Sequence, residues 1–304
     1  MTYDLLIVGA GAAGMAAALA ACETGARKIL LVDRGDRLGG VLPQCLHMGF
    51  GAAWFGQEMT GAEYAARAAA RVETAPVEVR LDTTVVQVDL GRRAMLSGPS
   101  GVEEIPFRQL VLAAGCREIP IGALALPGTR PAGIFTAGQA QRMVNLQKLT
   151  LGREAVILGS GDVGLVMARQ LALSGCRVAA VVEQRDRCGG LARNYQASIV
   201  DCGIPLLTRT TVSCVHGTGR IRGVTLRQLD TGAETFLPCD TLITALGMVP
   251  ERELLRGLGS PLPGWVHLCG NCQIIHKIVD TVSRQGAETG RQAALLARDL
   301  PEMG

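Results

Sequence analysis

Aromatic side chains are scarce: Trp, Tyr and Phe together make up 3% of the 304 residues. That argues against an all-β sandwich, whose core leans on large aromatics. Net charge is nearly lacking as well. Thirty basic residues against 27 acidic ones leave +3, too little for a surface that tracks nucleic-acid phosphates. Small molecules or proteins are the expected partners. No uninterrupted apolar run reaches about 18 residues, so no integral membrane segment is expected. Residues 4–20, DLLIVGAGAAGMAAALA, resemble a signal-peptide core, but no basic segment precedes them and a glycine fingerprint interrupts them. The expected location is cytoplasmic, and there the ten cysteines read as buried thiols rather than a disulfide framework. What is plentiful is glycine, 39 residues, as expected where backbone must approach backbone or a cofactor closely. With 48% hydrophobic residues, the chain can form one large α/β domain or two ordinary ones, each with its own core.

The two halves repeat one another. GAGAAG at 9–14 recurs as GSGDVG at 159–164, each after an apolar β-type run and before a helix-forming stretch. A second apolar run then ends in an acid, Asp33 in KILLVDR and Glu183 in RVAAVVEQ, and DRLGG at 36–40 is echoed by DRCGG at 186–190. The offset is 150 residues at both the first glycine and the acid. A lone GxGxxG is weak, but each copy here lies between strand and helix with an acid some 20 residues on, the context of a dinucleotide-binding βαβ unit. The first glycine allows the tight turn, the second admits the pyrophosphate and the third lets helix and strand pack. Phosphates then sit at the helix N-terminus and the acid accepts from a ribose hydroxyl. Glu183 favours NAD over NADP, while Arg185 and Arg187 leave room for a 2′-phosphate.

Two further apolar strands, QLVLAAGCREIP at 109–120 and TLITALGMVP at 241–250, end in small-residue turns and close one unit each. WVHLCGN at 265–271 and the helical stretch after it have no place in the second unit and are expected to return to the first. The expected fold is α/β, two Rossmann-like dinucleotide-binding domains with the second inserted in the first. The first takes residues 1–120 and 260–304, the second 150–250, and 121–149 connect them.

This order of motifs resembles the two-dinucleotide-binding-domain flavoproteins, the superfamily of glutathione reductase and thioredoxin reductase. The resemblance implies FAD in the first unit, NAD(P)H in the second, and a late G-D or G-N turn at the flavin, matched by Gly270 and Asn271. The FAD residues it points to are Gly9, Gly11, Ala12, Ala13, Gly14, Asp33, Arg34, Gly40, Ala114, Gly115, Gly270, Asn271 and His276. Those for NAD are Gly159, Gly161, Asp162, Val163, Gly164, Glu183 and Gly247. No metal is implied. GGVLPQCLHMGFG (39–51), TGAEYAAR (60–67), LPGTRPAGIFTAGQAQRMVN, VVEQRDRCGGLARN and CGNCQIIHKIVD further resemble a subgroup of small FAD-dependent NAD(P) oxidoreductases. These occur as a subunit beside a glycerol-3-phosphate or 2-hydroxyacid dehydrogenase-like flavoprotein, and the hydrogen cyanide synthase B subunit and opine oxidase subunits are related. The chain departs from them in having only about fourteen residues between Pro250 and Gly264, where a hairpin is missing, and in Ile274 and Lys277, which replace a histidine and an aspartate.

Hydride transfer asks little of side chains, because the flavin accepts the hydride. The N-terminus of the helix expected after Asn271 would stabilise negative charge on the reduced flavin. The open question is where the electrons go. Only Cys45 follows Gly40, in place of a CxxxxC pair, and residues 135–158 hold no cysteine, so dithiol reduction is disfavoured. Cys45 and His47 are the catalytic candidates. In an extended segment both point to one face, and an imidazolium would lower the thiol pKa for a sulfenic-acid cycle. The competing reading makes Cys45 a small packing residue and His47 a hydrogen-bonding group at the flavin or substrate. CGNC at 269–272 lacks the second CxxC of a zinc site. Three functions follow: an electron-transfer enzyme working with a partner flavoprotein or iron–sulfur subunit, a single-cysteine NADH oxidase or peroxidase, and a non-catalytic nucleotide-binding subunit.

Overall fold

The computed structural model describes residues 2–124 and 126–298. The chain divides into two compact units, one formed by the chain up to Arg117 and from Val249 onward, the other by Glu118–Met248. The helices are α1 (Ala12–Glu23), α2 (Gly61–Glu73), α3 (Ala137–Asn145), α4 (Asp162–Leu173), α5 (Ala192–Tyr195) and α6 (Val279–Arg298).

In the first unit the strands Glu78–Arg80, Ile29–Val32, Tyr3–Val8 and the inner end of Gly101–Leu112 lie parallel in that order, and Val266–Leu268 pairs with the far side of the last. The outer end of Gly101–Leu112 turns back in an antiparallel meander with Arg93–Gly98 and Thr84–Val88. The parallel strands are unbroken apolar runs because both faces are covered. Leu5, Ile7 and Leu31 face the layer holding α1, α2 and α6, while Leu6, Leu30 and Val32 face a second layer with Phe107 and Trp265. Phe107 and Trp265 meet edge to face, ring centroids 5.6 Å apart. The short stretch after Pro250 coils into a 3-10 turn, Glu253–Leu258, that plugs this layer with Leu255 and Leu258. Helix α1 is rich in alanine and buried on most sides, so α6 can approach it backbone to backbone. A side-chain carbon on Gly286 would overlap the carbonyl of Ala13, and one on Gly290 that of Ala17.

In the second unit Ile134–Thr136, Thr241–Thr244, Glu154–Leu158, Arg177–Val182 and Leu206–Leu207 form an all-parallel sheet. Its one face carries α3 and α4, and the other packs on an antiparallel sheet of Thr210–Gly217, Ile221–Gln228 and Glu234–Pro238. Residues 121–149, expected as a connection, instead supply the edge strand Ile134–Thr136 and α3 to this unit. A three-residue strand leaves no period to read, and its pairing with Thr241–Thr244 is made across more than a hundred residues. Residues 249–259, partly assigned to the second domain from sequence, pack in the first.

Candidate functional site

The duplicated stretches make the same bonds twice. Gly9 N donates to Val32 O and Gly159 N to Val182 O, each at 2.8 Å. Ala113 N donates to Val8 O at 2.8 Å and Ala245 N to Leu158 O at 2.7 Å. Gly9 and Gly159 hold φ of 105° and 103°, where a side chain is strained. Side-chain carbons on Gly14 and Gly164 would strike the carbonyls of Gly9 and Gly159. These four glycines are required by the fold of the turn itself.

Gly11 and Gly161 are different. Each is the N-cap of its helix, α1 or α4, with φ −75°, ψ −170° and φ −65°, ψ 166°, and a carbon added to either meets nothing within 4 Å. Thr60 and Thr136 cap α2 and α3 from nearly the same backbone, φ −74°, ψ 161° and φ −73°, ψ 156°, and their hydroxyls accept from Glu63 N and Gln139 N. The backbone at Gly11 and Gly161 would thus accept a capping side chain, yet neither helix has a side-chain cap. The first N–H groups of α1 and α4, at Ala12, Ala13 and Gly14 and at Asp162, Val163 and Gly164, keep an open approach suited to an anion. The residues present therefore fit a dinucleotide pyrophosphate at both turns.

Beside each turn stands the acid. Asp33 accepts from Ala10 N at 2.6 Å and Gly35 N at 2.7 Å, and Glu183 from Ser160 N at 3.1 Å and Arg185 N at 3.0 Å. A carboxylate offers about four lone-pair sites, so Asp33 keeps capacity for a ribose hydroxyl. Glu183 also takes the Ser160 hydroxyl at 2.5 Å and is buried. Burial alone would raise its pKa, but the Ser160 hydroxyl and the Arg185 and Ser160 N–H groups outweigh it and hold it below its usual 4.5. A depressed folded-state pKa contributes stability above the unfolded value that is lost as pH falls through the folded one. The melting temperature of the Glu118–Met248 unit is therefore expected to fall as pH drops below 4.5, and Glu183→Gln to flatten that acid limb in a pH series of thermal melts.

Gly40 brings a second backbone against the first turn: a carbon added to it would lie 3.1 Å from Gly11 Cα. Arg34 and Ala114 are exposed, and Gly115 (φ 73°) has open space beside it. Gly247 has φ 109° and accepts from Ile119 N at 3.0 Å. The Asp162 carboxylate accepts from Leu191 N and Asn194 Nδ2, both at 2.7 Å, so it holds the segment after Gly190.

The late turn differs from its sequence reading. A single 3-10 turn, Gly270–Cys272, follows the strand Val266–Leu268, and α6 starts only at Val279. Asn271 Oδ1 accepts from His276 N at 2.9 Å and so closes the loop before the helix. The helix begins later in the chain than expected, but its first turn still meets the late turn: a carbon added to Gly270 would lie 3.3 Å from Val282 Cγ1. Arg252, from the shortened segment, donates to the carbonyls of Cys272 (2.6 Å) and Gln273. The CGNC thiols are fully buried; Cys272 Sγ donates to Leu112 O at 2.9 Å, and burial pushes both thiol pKa values up. All ten cysteines are free thiols.

Cys45 follows a 3-10 turn, Leu42–Gln44, and is buried against the start of α2, where a carbon added to Gly61 would lie 2.5 Å from Cys45 Cβ. Burial raises its thiol pKa to about 12, the reverse of what a thiolate nucleophile requires. This burial favours the packing reading of Cys45 over the thiolate one. The His47 ring, half-buried, packs on Phe50 with centroids 5.1 Å apart. Cys45 is expected to resist iodoacetamide in the native protein at neutral pH, and peptide mapping after timed alkylation would measure this.

Two features escaped sequence reading. Asp280, buried in the first turn of α6, accepts from Gly51 N at 3.1 Å and Ala53 N at 2.9 Å and so fastens the loop after His47. Tyr64 on α2 and Ser283 on α6 share a buried hydrogen bond of 2.5 Å. Both pairs join residues more than two hundred positions apart, and only the small residues flanking them in sequence hinted at close packing.

The chain matches the family model described as pyridine nucleotide-disulphide oxidoreductase over residues 3–273. It is 30% identical over 268 residues to sarcosine oxidase subunit alpha of Corynebacterium sp. strain P-1, covering 83% of this chain and 27% of the relative. It is 29% identical over 284 residues to hydrogen cyanide synthase subunit HcnB of Pseudomonas aeruginosa, covering 85% of this chain and 60% of the relative. The chain thus spans between about a quarter and three fifths of these relatives' lengths. The fold is similar to that of Lactococcus lactis thioredoxin reductase, with TM-score 0.80 at 19% identity, covering 98% of this chain and 100% of the other.

Proposed function

The chain belongs to the pyridine nucleotide-disulphide oxidoreductase family, and from that premise we propose that it passes electrons between NAD(H), bound FAD and a partner redox subunit. It is an FAD-dependent oxidoreductase whose cofactors are FAD and NAD(P)H, and no helix among the described residues is long and apolar enough to cross a membrane. The carrying observation is the pair of glycine N-caps, Gly11 and Gly161, which leave two helix N-termini open in a protein that caps α2 and α3 with threonine.

Bound flavin supplies the hydride acceptor. The chain's own residues bind and orient. The first N–H groups of α1 would hold one pyrophosphate and those of α4 the other, while Asp33 and Glu183 would take the ribose ends. Gly270 and Asn271 shape the turn proposed to lie against the flavin. The buried, hydrogen-bonded Glu183 supports NAD, and exposed Arg185 and Arg187 are the groups through which NADPH would compete.

The partner reading rests on the cysteines. Cys45 is buried with its thiol pKa raised, and the Cys269–Cys272 thiols are buried too, so neither place offers an accessible dithiol to receive electrons. The matched sarcosine oxidase and hydrogen cyanide synthase relatives are themselves named as subunits. A second flavoprotein or an iron–sulfur subunit handling the organic substrate fits this.

The test is an anaerobic titration of the FAD-loaded protein. NADH is expected to bleach the flavin absorption, at a lower concentration than NADPH, and the reduced protein to be reoxidised by its co-purifying partner. An unchanged spectrum with the partner present would make the chain a non-catalytic nucleotide binder.

A further inference from the structure

Gln285, in the second turn of α6, faces the late turn with both ends of its amide. Gly270 N donates to Gln285 Oε1 at 2.8 Å, His276 Nε2 lies 3.0 Å from the same oxygen, and Gln285 Nε2 donates to Gln273 Oε1. The orientation of a glutamine amide is ordinarily ambiguous. Here a backbone N–H can only donate, so the atom facing Gly270 is the oxygen. His276 must therefore donate from Nε2, which in the neutral ring leaves Nδ1 as the acceptor. The His276 backbone N is meanwhile held by Asn271 Oδ1 at 2.9 Å. One side chain thus joins the first residue of the turn, a residue in its middle and the ring at its end.

We propose that Gln285 is a positioning residue of the flavin site: it ties the Gly270–His276 turn to α6 and holds His276 as the Nε2–H tautomer, presenting Nδ1 to accept from a ligand hydroxyl or N–H. The proposal rests on FAD occupying the first unit. Its structural logic is that the first turn of α6 meets the late turn through an apolar contact, Val282 Cγ1 standing 3.3 Å from a carbon added to Gly270, and Gln285 adds the polar connection. The same helix packs on α1 through Gly286 and Gly290. Gln285 therefore sets the late turn in register with the phosphate-binding helix.

The experiment uses the full chain with Gln285→Leu and Gln285→Glu, FAD titration, and nitrogen NMR of histidine-labelled protein, in which only four rings contribute. His276→Gln identifies the ring's signals. Wild-type protein is expected to show the Nε2–H tautomer at His276. Gln285→Leu, which leaves two donors without an acceptor, is expected to lose that signature and bind FAD roughly tenfold to a hundredfold more weakly. Gln285→Glu keeps an acceptor for both donors and is expected to restore the signature and bring affinity back to within about threefold of wild type. An Nδ1–H tautomer in the wild type overturns the proposal, as does a Gln285→Leu protein with wild-type FAD affinity. Should Gln285→Leu fail to fold, the wild-type tautomer and the Gln285→Glu result still decide. Wild-type protein that takes up no FAD overturns the flavin assignment beneath the proposal. The tautomer readout needs no flavin and separates the two failures.

Discussion

Gly11→Ser is expected to fold at least as stably as the wild type while binding FAD a hundredfold or more weakly. The backbone at Gly11 matches that of the capping threonines, and nothing lies within 4 Å of an added carbon. Serine there can cap the first N–H groups of α1, and such a cap contributes roughly 0.5–2 kcal/mol relative to alanine but only a few tenths relative to glycine. The same hydroxymethyl group occupies the approach a pyrophosphate needs and competes for its donors. Urea unfolding of the apoprotein and FAD titration measure the two effects separately. Gly161→Ser is the matching change for NAD(P)H, with FAD content untouched. Equal loss of stability and binding would mean that the open caps serve the fold, and the cofactor reading of these glycines would fail.

Gly286→Val is expected to have the opposite character and to cost the first unit about 3 kcal/mol or more. The added carbon would lie 2.8 Å from both the Cα and the carbonyl carbon of Ala13 and closer still to its oxygen. Backbone atoms of a buried helix cannot swing aside as a side-chain tip can. Because α1 carries the first N–H donors, displaced α6 also takes the late turn away from them, so FAD binding falls together with stability. Gly257→Ala is the control: its methyl meets nothing within 4 Å, and it is expected to stay within about 0.5 kcal/mol of wild type. Chemical unfolding of the three proteins checks the order. A Gly286→Val protein as stable as Gly257→Ala would mean that α6 does not need its close approach to α1.

The two substitutions separate what could be read locally from what could not. The tight turns at Gly9 and Gly159, the strands on either side and the acids at 33 and 183 were legible because each follows from backbone conformation or from apolar runs within about 25 residues. Their repetition made a weak motif strong. The strand Ile134–Thr136 was not legible, since three residues carry no period, and the start of α6 was misplaced because an Asn271 side chain, rather than helix propensity, shapes residues 272–276.

Cys45 marks the same boundary. From sequence its partner could be His47, two residues away; in the folded chain its neighbour is Gly61, and burial pushes the thiol to about 12. By itself the sequence determined two dinucleotide-binding βαβ units and the residues of their turns, because these depend on short-range sterics and hydrogen bonds. Only the tertiary structure decided which groups support those turns. Asp280, Ser283, Gln285 and Gly286 act on residues up to about 270 positions away, and burial and long-range partners exist only once α6 has docked.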